Sequence, residues 1–381
     1  FRIRLDAPIS RLAAGEKQKV EILKQLYLRR RFLILDEPTS VLTPSEADEL
    51  LGLLKGMARR REITILMITH KFREVSAFCD EVTVLRRGRH AGNGKVSELD
   101  VAQMAEMMVG ERIVHESARS RPPVVKRVTP PLLAVRDLHV ENDSGVEAVN
   151  GLTLTVRAGE ILGLAGVSGN GQRELVEALA GQRVPLSGEI TVRNIRYRAS
   201  RGQIRSLRVC GLPEEPLRNA CVGSMSVAEN MAFRNFDRLP IARGPWLLRR
   251  FMLRQAEAWI THFNVKTRGS NASIATLSGG NVQRAVLARE LSEPVALLIA
   301  ADPVFGLDFA AVAEIHNRIV AARDAGAAVL LISSDLDELL ELADRVAVMF
   351  EGRIVHETPI ADADIGVIGR AMAGHAEAKA A

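Results

Sequence analysis

Short runs of apolar residues alternate with amphipathic stretches along much of the chain. Residues 32–35 and 63–68 are two such runs, and the segment that starts at Pro44 between them has leucines at helical spacing. Apolar runs that flank a helix predict parallel strands buried on both faces. The pattern therefore predicts a strand–helix–strand unit, followed by a helix at residues 74–78 and a strand at residues 82–85.

The same order of elements recurs 265 positions later. A strand, a helix and a strand are predicted over residues 296–299, 311–323 and 328–332, and then a helix over 337–342 and a strand over 346–350. A repeat of this length predicts two tandem α/β domains.

Polar and glycine-rich motifs occupy matching places in the two copies. The first copy has Leu12-Ala-Ala-Gly-Glu16 and Leu33-Ile-Leu-Asp36-Glu37-Pro38, with Ile68-Thr-His70 after the next strand. The second copy has Leu277-Ser278-Gly279-Gly280-Asn281 before its strand–helix–strand unit. It also has a glycine-rich loop after an apolar run, and its candidate phosphate-binding residues are Gly166, Gly169, Asn170, Gly171, Gln172 and Arg173.

Together these motifs resemble those of ATP-binding cassette (ABC) proteins. The resemblance covers nearly the whole chain and implies two tandem P-loop NTPase domains, each with a helical subdomain. It also implies ATP as the nucleotide and Mg²⁺ as the metal. Asp36 would hold Mg²⁺ through water, Glu37 would polarise the attacking water, and His70 would contact the γ-phosphate.

The segment Leu277–Asn281 resembles the signature loop of this family. Free N–H groups at the start of a helix favour an anion, and glycines let the backbone approach phosphate closely. In the family two domains stack head to tail. Asp36, Glu37 and His70 are therefore expected to act on a nucleotide that the signature of the second copy also contacts.

In the stacked pair, a second nucleotide site would combine the glycine-rich loop of the second copy with Leu12–Glu16 of the first. This second site departs from the family pattern at each catalytic element. The positions of the P-loop lysine and hydroxyl hold Gln172 and Arg173, and those of the Walker B acids hold Ala301 and Asp302. Ser334 replaces the switch histidine. This site is expected to bind nucleotide weakly or differently and to hydrolyse it poorly, although the glycines can still form an anion nest and Arg173 could replace some of the lost charge.

The expected domains are residues 1–111, a proline-rich linker at 112–131 and a second domain at 132–375. Subtracting 265 from position 166 gives a position before Phe1, so the first domain is expected to be N-terminally truncated and without its phosphate-binding half. This chain alone is therefore expected to have little ATPase activity. The segment from Gln203 to Thr276 is predicted to be mostly helical, and Gly92-Asn-Gly94-Lys95 is interpreted as a turn rather than a P-loop.

The composition of the chain limits the kinds of partner that it is expected to bind. Charged residues make up 25% of the 381 residues, the net charge is +5, and aromatic residues make up only 4%, which argues against a nucleic-acid surface. Three widely separated cysteines indicate reduced thiols in the cytosol. No apolar run has the length of a membrane span.

One degraded site and the sequence Gly-Asn-Gly-Gln-Arg in the second P-loop resemble the ATPase subunits of bacterial importers for simple sugars or nucleosides. The resemblance implies a peripheral protein on the cytoplasmic face of the inner membrane. Its partners would be integral-membrane permease subunits and an extracytoplasmic substrate-binding protein, without nucleic acid. The alternatives are a soluble tandem ABC ATPase acting on ribosomes or nucleic acid, and a non-functional truncated remnant.

Overall fold

The computed structural model describes residues 8–9, 12, 14–39, 42, 44–69, 71–86, 89–100, 103–104, 107, 130–167, 169–304, 307, 309–372 and 374. Unit 1 comprises residues 1–125, 167–169 and 364–381, and unit 2 comprises residues 126–166 and 170–363. The predicted linker at 112–131 lies almost entirely outside the described residues.

Unit 1 contains the elements predicted for the first copy. In chain order they are α1 (Ala14–Tyr27), β1 (Phe32–Asp36), α2 (Pro44–Arg59), β2 (Thr64–Ile68), α3 (Phe72–Phe78), β3 (Glu81–Arg86) and β4 (Arg89–Lys95). Strands β1 and β2 are parallel and β3 and β4 antiparallel. The segment Gly92–Lys95 is thus part of a strand and not a turn, because Asn93 pairs with Thr83 across the ladder.

The β1–β2 pair buries one of its faces within the described residues. Leu33 packs with Ile22 of α1 and with Leu50 and Leu54 of α2 in a small core. Alternate residues point the other way and are exposed: Phe32, Ile34, Leu66 and Ile68. The prediction of strands buried on both faces is therefore wrong for β1 and β2, because the elements described in unit 1 pack on one face.

Unit 2 contains two sheets and several helices. Its elements are β5 (Leu133–Glu141), β6 (Glu147–Val156), β7 (Ile161–Ala165), α4 (Gln172–Ala180), β8 (Ser187–Val192), β9 (Ile195–Arg196), α5 (Arg201–Ser206), β10 (Val209–Leu212), α6 (Pro216–Asn219), α7 (Val227–Met231), β11 (Ala242–Arg243), β12 (Trp246–Leu247), α8 (Arg249–His262), α9 (Gly279–Leu291), β13 (Leu297–Ala301), α10 (Phe309–Asp324), β14 (Ala328–Ser333), α11 (Leu336–Leu342), β15 (Arg345–Phe350) and β16 (Arg353–Pro359). A last helix, α12 (Ile365–Met372), groups with unit 1.

The main sheet has the strand order β10–β13–β14–β7–β15–β16, and only the β15–β16 pair is antiparallel. An antiparallel sheet, β6–β5–β8–β9, supplies much of the apolar core together with the main sheet and α4. Strands β13 and β14 are buried at every residue, so the prediction of two-sided burial is confirmed here. The segment from Gln203 to Thr276 mixes short helices with strands β10, β11 and β12 and is less helical than predicted.

The repeat is kept in three dimensions. Phe32 lies opposite Thr64 in unit 1, and Leu297 lies opposite Ala328 in unit 2. Helices α2 and α10 have equal lengths and bounds 265 positions apart. Helices α5–α8 form the helical part of unit 2, and they have no counterpart among the described residues of unit 1. None of the described helices is both long and apolar enough to cross a membrane.

Candidate functional site

The carboxyl end of β1 carries two adjacent acids. Asp36 is the last residue of the strand and is exposed. Glu37 has a φ of 45°, and its N–H donates to the carbonyl of Ile68 at 2.9 Å. A non-glycine residue rarely adopts this left-handed backbone, so the bond to the end of β2 holds the chain in a sharp turn. Both carboxyl groups thus lie where parallel sheets place ligand-binding residues.

A buried carboxylate, Glu74 at the start of α3, supports this edge of the sheet. The hydroxyl of Thr39 donates to one of its oxygens, and that of Thr69 donates to the other at 3.2 Å. The ammonium of Lys71 is 3.9 Å from Glu74. The network fixes the turn after Glu37 to the turn after β2. His70, between Thr69 and Lys71, lies outside the described residues, so its predicted role stays a prediction.

The signature segment of unit 2 forms the amino end of helix α9. Ser278 is the residue before the helix, and both Ser278 and Gly279 are exposed. The amide of Asn281 donates to the Ser278 hydroxyl at 2.8 Å, and its carbonyl accepts from the Lys266 N–H at 2.7 Å. Asn281 therefore fixes the loop before α9, at the start of a helix, where N–H groups favour an anion.

A basic residue one turn further along ties this helix to the next in both units. In unit 2, Arg284 of α9 contacts Glu314 of α10 at 2.8 Å. In unit 1, Lys19 of α1 forms an ion pair with Glu46 of α2. The two helices that carry the equivalent signature segments are thus anchored by the same kind of contact.

The glycine-rich loop leads from β7 into α4. Gly171 precedes the helix with a φ of 103°, and a Cβ there would collide with the carbonyl oxygen of Ala148. The side chain of Asn170 accepts from the N–H of Glu351 at 3.0 Å, which attaches the loop to the end of β15. Gly169 also has a positive φ, of 98°. These constraints shape the backbone around the amino end of α4 as a phosphate-binding loop requires.

The two side chains at the positions of the usual P-loop lysine and hydroxyl both contact other groups of the protein. The amide of Gln172 lies against Gly166 within the loop. The guanidinium of Arg173 donates to Glu177 at 2.7 Å and lies 3.6 Å from Asp143. Its charge is already balanced by these acids, so the geometry gives no support to the idea that Arg173 replaces the lysine.

The acid after β13 is held by the residue that replaces the switch histidine. Asp302 has a φ of 39°, like its counterpart Glu37, and its N–H donates to Ile332 at 2.8 Å. Its carboxyl accepts from the N–H of Ser334 at 2.8 Å and from the hydroxyl at 3.0 Å. Burial raises the pKa of Asp302 to about 6, and the bonds from Ser334 oppose that shift.

The counterpart of Glu74 in unit 2 is Glu338, and it has a different partner. Val304 stands where unit 1 has Thr39, so that hydroxyl is absent. The ring of His316, on α10, contacts Glu338 at 3.0 Å and is itself buried. Unit 1 has the apolar Leu51 at that position. The two units therefore satisfy the equivalent buried carboxylate with partners from different elements.

The residues of unit 1 fit Mg²⁺, and those of unit 2 do not. Mg²⁺ in nucleotide sites is held by one or two carboxylates together with phosphate oxygens. The exposed carboxylate of Asp36 provides such a ligand. In unit 2 the corresponding residue is Ala301, and the carboxyl of Asp302 next to it is hydrogen-bonded to Ser334.

Comparison with known proteins agrees with this geometry. A family model described as ABC transporter matches residues 149–304. The chain is 41% identical to a glucose import ATP-binding protein of Haloferax volcanii over 100% of this chain and 69% of the relative. It is 39% identical to a nucleoside import ATP-binding protein of Lactococcus lactis over 92% and 68% of the two chains. A guanosine import ATP-binding protein of Bacillus subtilis is 36% identical over 100% and 74%.

Solved structures show the same fold. An ATP-binding cassette of an ABC transporter has a TM-score of 0.51 at 19% identity, covering 65% of this chain and 99% of that one. A dimeric bacterial ABC transporter cassette also scores 0.51, at 18% identity, over 60% and 98%. The fold is thus that of a P-loop ATPase. The chain belongs to the ABC transporter family, whose ATP-binding proteins couple ATP hydrolysis to transport.

Sequence reasoning missed the residues that support the site. No role was predicted for Glu74 or Glu338, and the contacts of Glu338 with His316 and of Asp302 with Ser334 were not predicted. Each of these pairs joins separate elements, and local patterns do not encode such contacts. The one available signal was an acid at the same place in both copies, Glu74 and Glu338.

Proposed function

We propose that the chain is the ATP-binding subunit of an importer for a simple sugar or a nucleoside. It would work on the cytoplasmic face of the membrane with permease subunits and an extracytoplasmic substrate-binding protein. The functions of the relatives support this, because their names describe glucose, nucleoside and guanosine import. Nothing among those names favours the ribosomal alternative.

The observation that carries the catalytic proposal is the Asp36–Glu37 turn at the end of β1. Asp36 would hold Mg²⁺, which when bound neutralises charge on the phosphates. Glu37 would accept a hydrogen bond from the attacking water and orient it. His70 is proposed to contact the γ-phosphate from the end of β2.

The signature residues would bind phosphate through the helix dipole and free N–H groups at the start of α9. Added Cβ atoms at Gly279 and Gly280 would meet nothing closer than 3.6 Å, so internal packing does not require glycine at either position. Close approach by a ligand is a sufficient reason for glycine here. The head-to-tail pairing of this segment with Asp36 and Glu37 stays a prediction.

The tandem arrangement and its bounds at residues 1–111 and 132–375 are likewise proposals, supported by the matched strand pairs and helices. For the second P-loop, Gly166 to Arg173, we propose nucleotide binding by backbone groups with little hydrolysis. Two observations support weak hydrolysis at this site. Ala301 provides no carboxylate, and the carboxyl of Asp302 is hydrogen-bonded to Ser334.

The function is tested by deleting the gene in its source cell and measuring uptake of labelled ribose, glucose, galactose, adenosine and guanosine. We expect uptake of one sugar or nucleoside class to fall to background and to return when the wild-type gene is supplied. Ribosome profiles in the same cells serve as the control for the alternative. Unchanged uptake of all five compounds together with altered ribosome profiles would refute the importer proposal.

A further inference from the structure

A small cavity in unit 2 lies at the opposite edge of the main sheet from the P-loop. Its lining includes Arg208, which directly precedes β10, and Pro294, which precedes β13. Parallel strands run from there toward the carboxyl ends that carry the nucleotide motifs. The cavity has a volume of about 140 Å³ and belongs to no motif of the sequence.

Positive charge dominates the lining of this cavity. Two glutamates, Glu290 and Glu293, face a larger set of arginines. The arginines in the lining are Arg201, Arg205, Arg208, Arg234, Arg238 and Arg289. Positive side chains therefore exceed negative ones by four, which is a large imbalance for a cavity of this size.

Both glutamates form ion pairs with arginines of the lining, three of which take part. Glu290 forms ion pairs with Arg234 and, at 2.8 Å, with Arg289. Glu293 contacts Arg238 at 2.6 Å. These pairs hold the inner guanidinium groups in fixed positions, and Arg289 is buried and donates to the carbonyl of Ala220 at 2.7 Å. The back of the cavity is thus preorganised.

The outer arginines differ in their partners. Arg201 contacts Asp237 at 3.0 Å and lies over the ring of Phe236. Within the part of the chain that the structure describes, the side chains of Arg205 and Arg208 have no ion pair or hydrogen bond. Both residues are exposed and line the cavity, and among the described residues their charges have no protein counter-charge.

The remaining wall adds no negative charge. Burial raises the pKa of Cys210 to about 12, so this thiol is neutral at physiological pH. Phe233 and Trp259 supply apolar surface, and the guanidinium of Arg289 lies 5.7 Å from the centre of the Phe233 ring. Arginine binds phosphate oxygens through paired N–H donors, so the unpaired Arg205 and Arg208 beside this wall suit a phosphate ligand.

We propose that this cavity binds a phosphate dianion, either free or as the end of a small phosphate monoester. Pockets for whole drug-sized ligands occupy roughly 300–1,000 Å³. The cavity is smaller than that, so it holds the phosphate group and leaves any attached portion outside, beside Arg205 and Arg208.

The test is isothermal titration calorimetry, in which the purified full chain is titrated with inorganic phosphate and, separately, with glycerol phosphate. The test variant is Arg205→Gln/Arg208→Gln, and Arg205→Lys/Arg208→Lys retains the charges. We expect the glutamine variant to weaken binding about tenfold or more, because two charge-assisted hydrogen bonds are lost, and the lysine variant to lose less. Tighter binding of inorganic phosphate identifies the free anion as ligand, and tighter binding of the ester identifies the monoester.

The matched control is Arg250→Gln/Arg254→Gln, which removes two exposed arginines of α8 that do not line the cavity. It should bind both anions as the wild type does. Equal weakening in the control, unchanged binding in the glutamine variant, or no binding of either anion up to about 10 mM would overturn the proposal. Tryptophan fluorescence melts check that each variant remains folded.

Discussion

Unit 1 and unit 2 place different chemistry on the same scaffold. Strand β1 ends in Asp36 and Glu37, and the equivalent strand β13 ends in Ala301 and Asp302. Both turns have a positive φ at the second residue and the same backbone bond to the neighbouring strand. The turn therefore has the same backbone in both units although its side chains differ.

The buried carboxylates behind these turns show how the divergence is tolerated. Glu74 accepts from Thr39 and Thr69, and Glu338 is satisfied by His316 from α10. A buried carboxylate without partners is costly, so the loss of the Thr39 hydroxyl at Val304 had to be offset by another donor. Unit 2 thus has a histidine where unit 1 has Leu51, and a valine where unit 1 has Thr39.

The largest expected effect concerns pH and Asp302. Its folded pKa of about 6 lies above the ordinary value of 3.8, so folding favours its protonated form. Its contribution to stability is fully present below pH 3.8 and is lost as the pH rises through about 6. Asp302→Asn should therefore stabilise unit 2 relative to wild type at pH 7 by up to about 3 kcal/mol more than at pH 4.

Urea unfolding at several pH values measures this difference. Both tryptophans, Trp246 and Trp259, lie in unit 2, so their fluorescence reports on that unit. The exposed Asp362→Asn serves as the control and should follow the wild-type pH profile. A pH-independent difference between Asp302→Asn and wild type would contradict the assigned shift.

A smaller effect is expected from exchanging the partners of Glu338. His316→Leu introduces the residue of unit 1 and leaves Glu338 without its main donor, which should destabilise unit 2 by about 2 kcal/mol. Adding Val304→Thr supplies the hydroxyl that unit 1 uses and should recover about half of the loss. The same tryptophan signal measures all variants. Additive effects of the two substitutions would show that positions 304 and 316 do not share Glu338 as a common partner.

Much of the likeness between the two units could be predicted from the sequence, because the repeat aligns their strands and motifs. Strands β1, β2, β13 and β14 lie within a residue or two of their predicted bounds, and the departures at Ala301, Asp302 and Ser334 were evident by alignment. Sequence alone could not predict that equivalent strand residues are exposed in unit 1 and buried in unit 2. The counterparts of the exposed Phe32 and Ile34, Leu297 and Ile299, pack against the antiparallel sheet of unit 2.

The arginine-lined cavity was equally beyond prediction. The arginines of its lining are spread from Arg201 to Arg289 in the sequence, and they come together only through the packing of α5, α9 and the segments before β10 and after α7. Pattern reasoning finds elements and aligned motifs. It does not find side chains that only the tertiary fold brings together.

The most direct test compares the two acids in the same assay. ATP-dependent phosphate release is measured in membrane vesicles of the source cell that contain the wild-type protein, Glu37→Gln or Asp302→Asn at equal abundance. We predict that Glu37→Gln lowers the rate about 100-fold or more, since it removes the group that orients the attacking water, and that Asp302→Asn changes it less than about twofold. Retained hydrolysis in Glu37→Gln, or its loss in Asp302→Asn, would contradict the assignment of catalysis to unit 1.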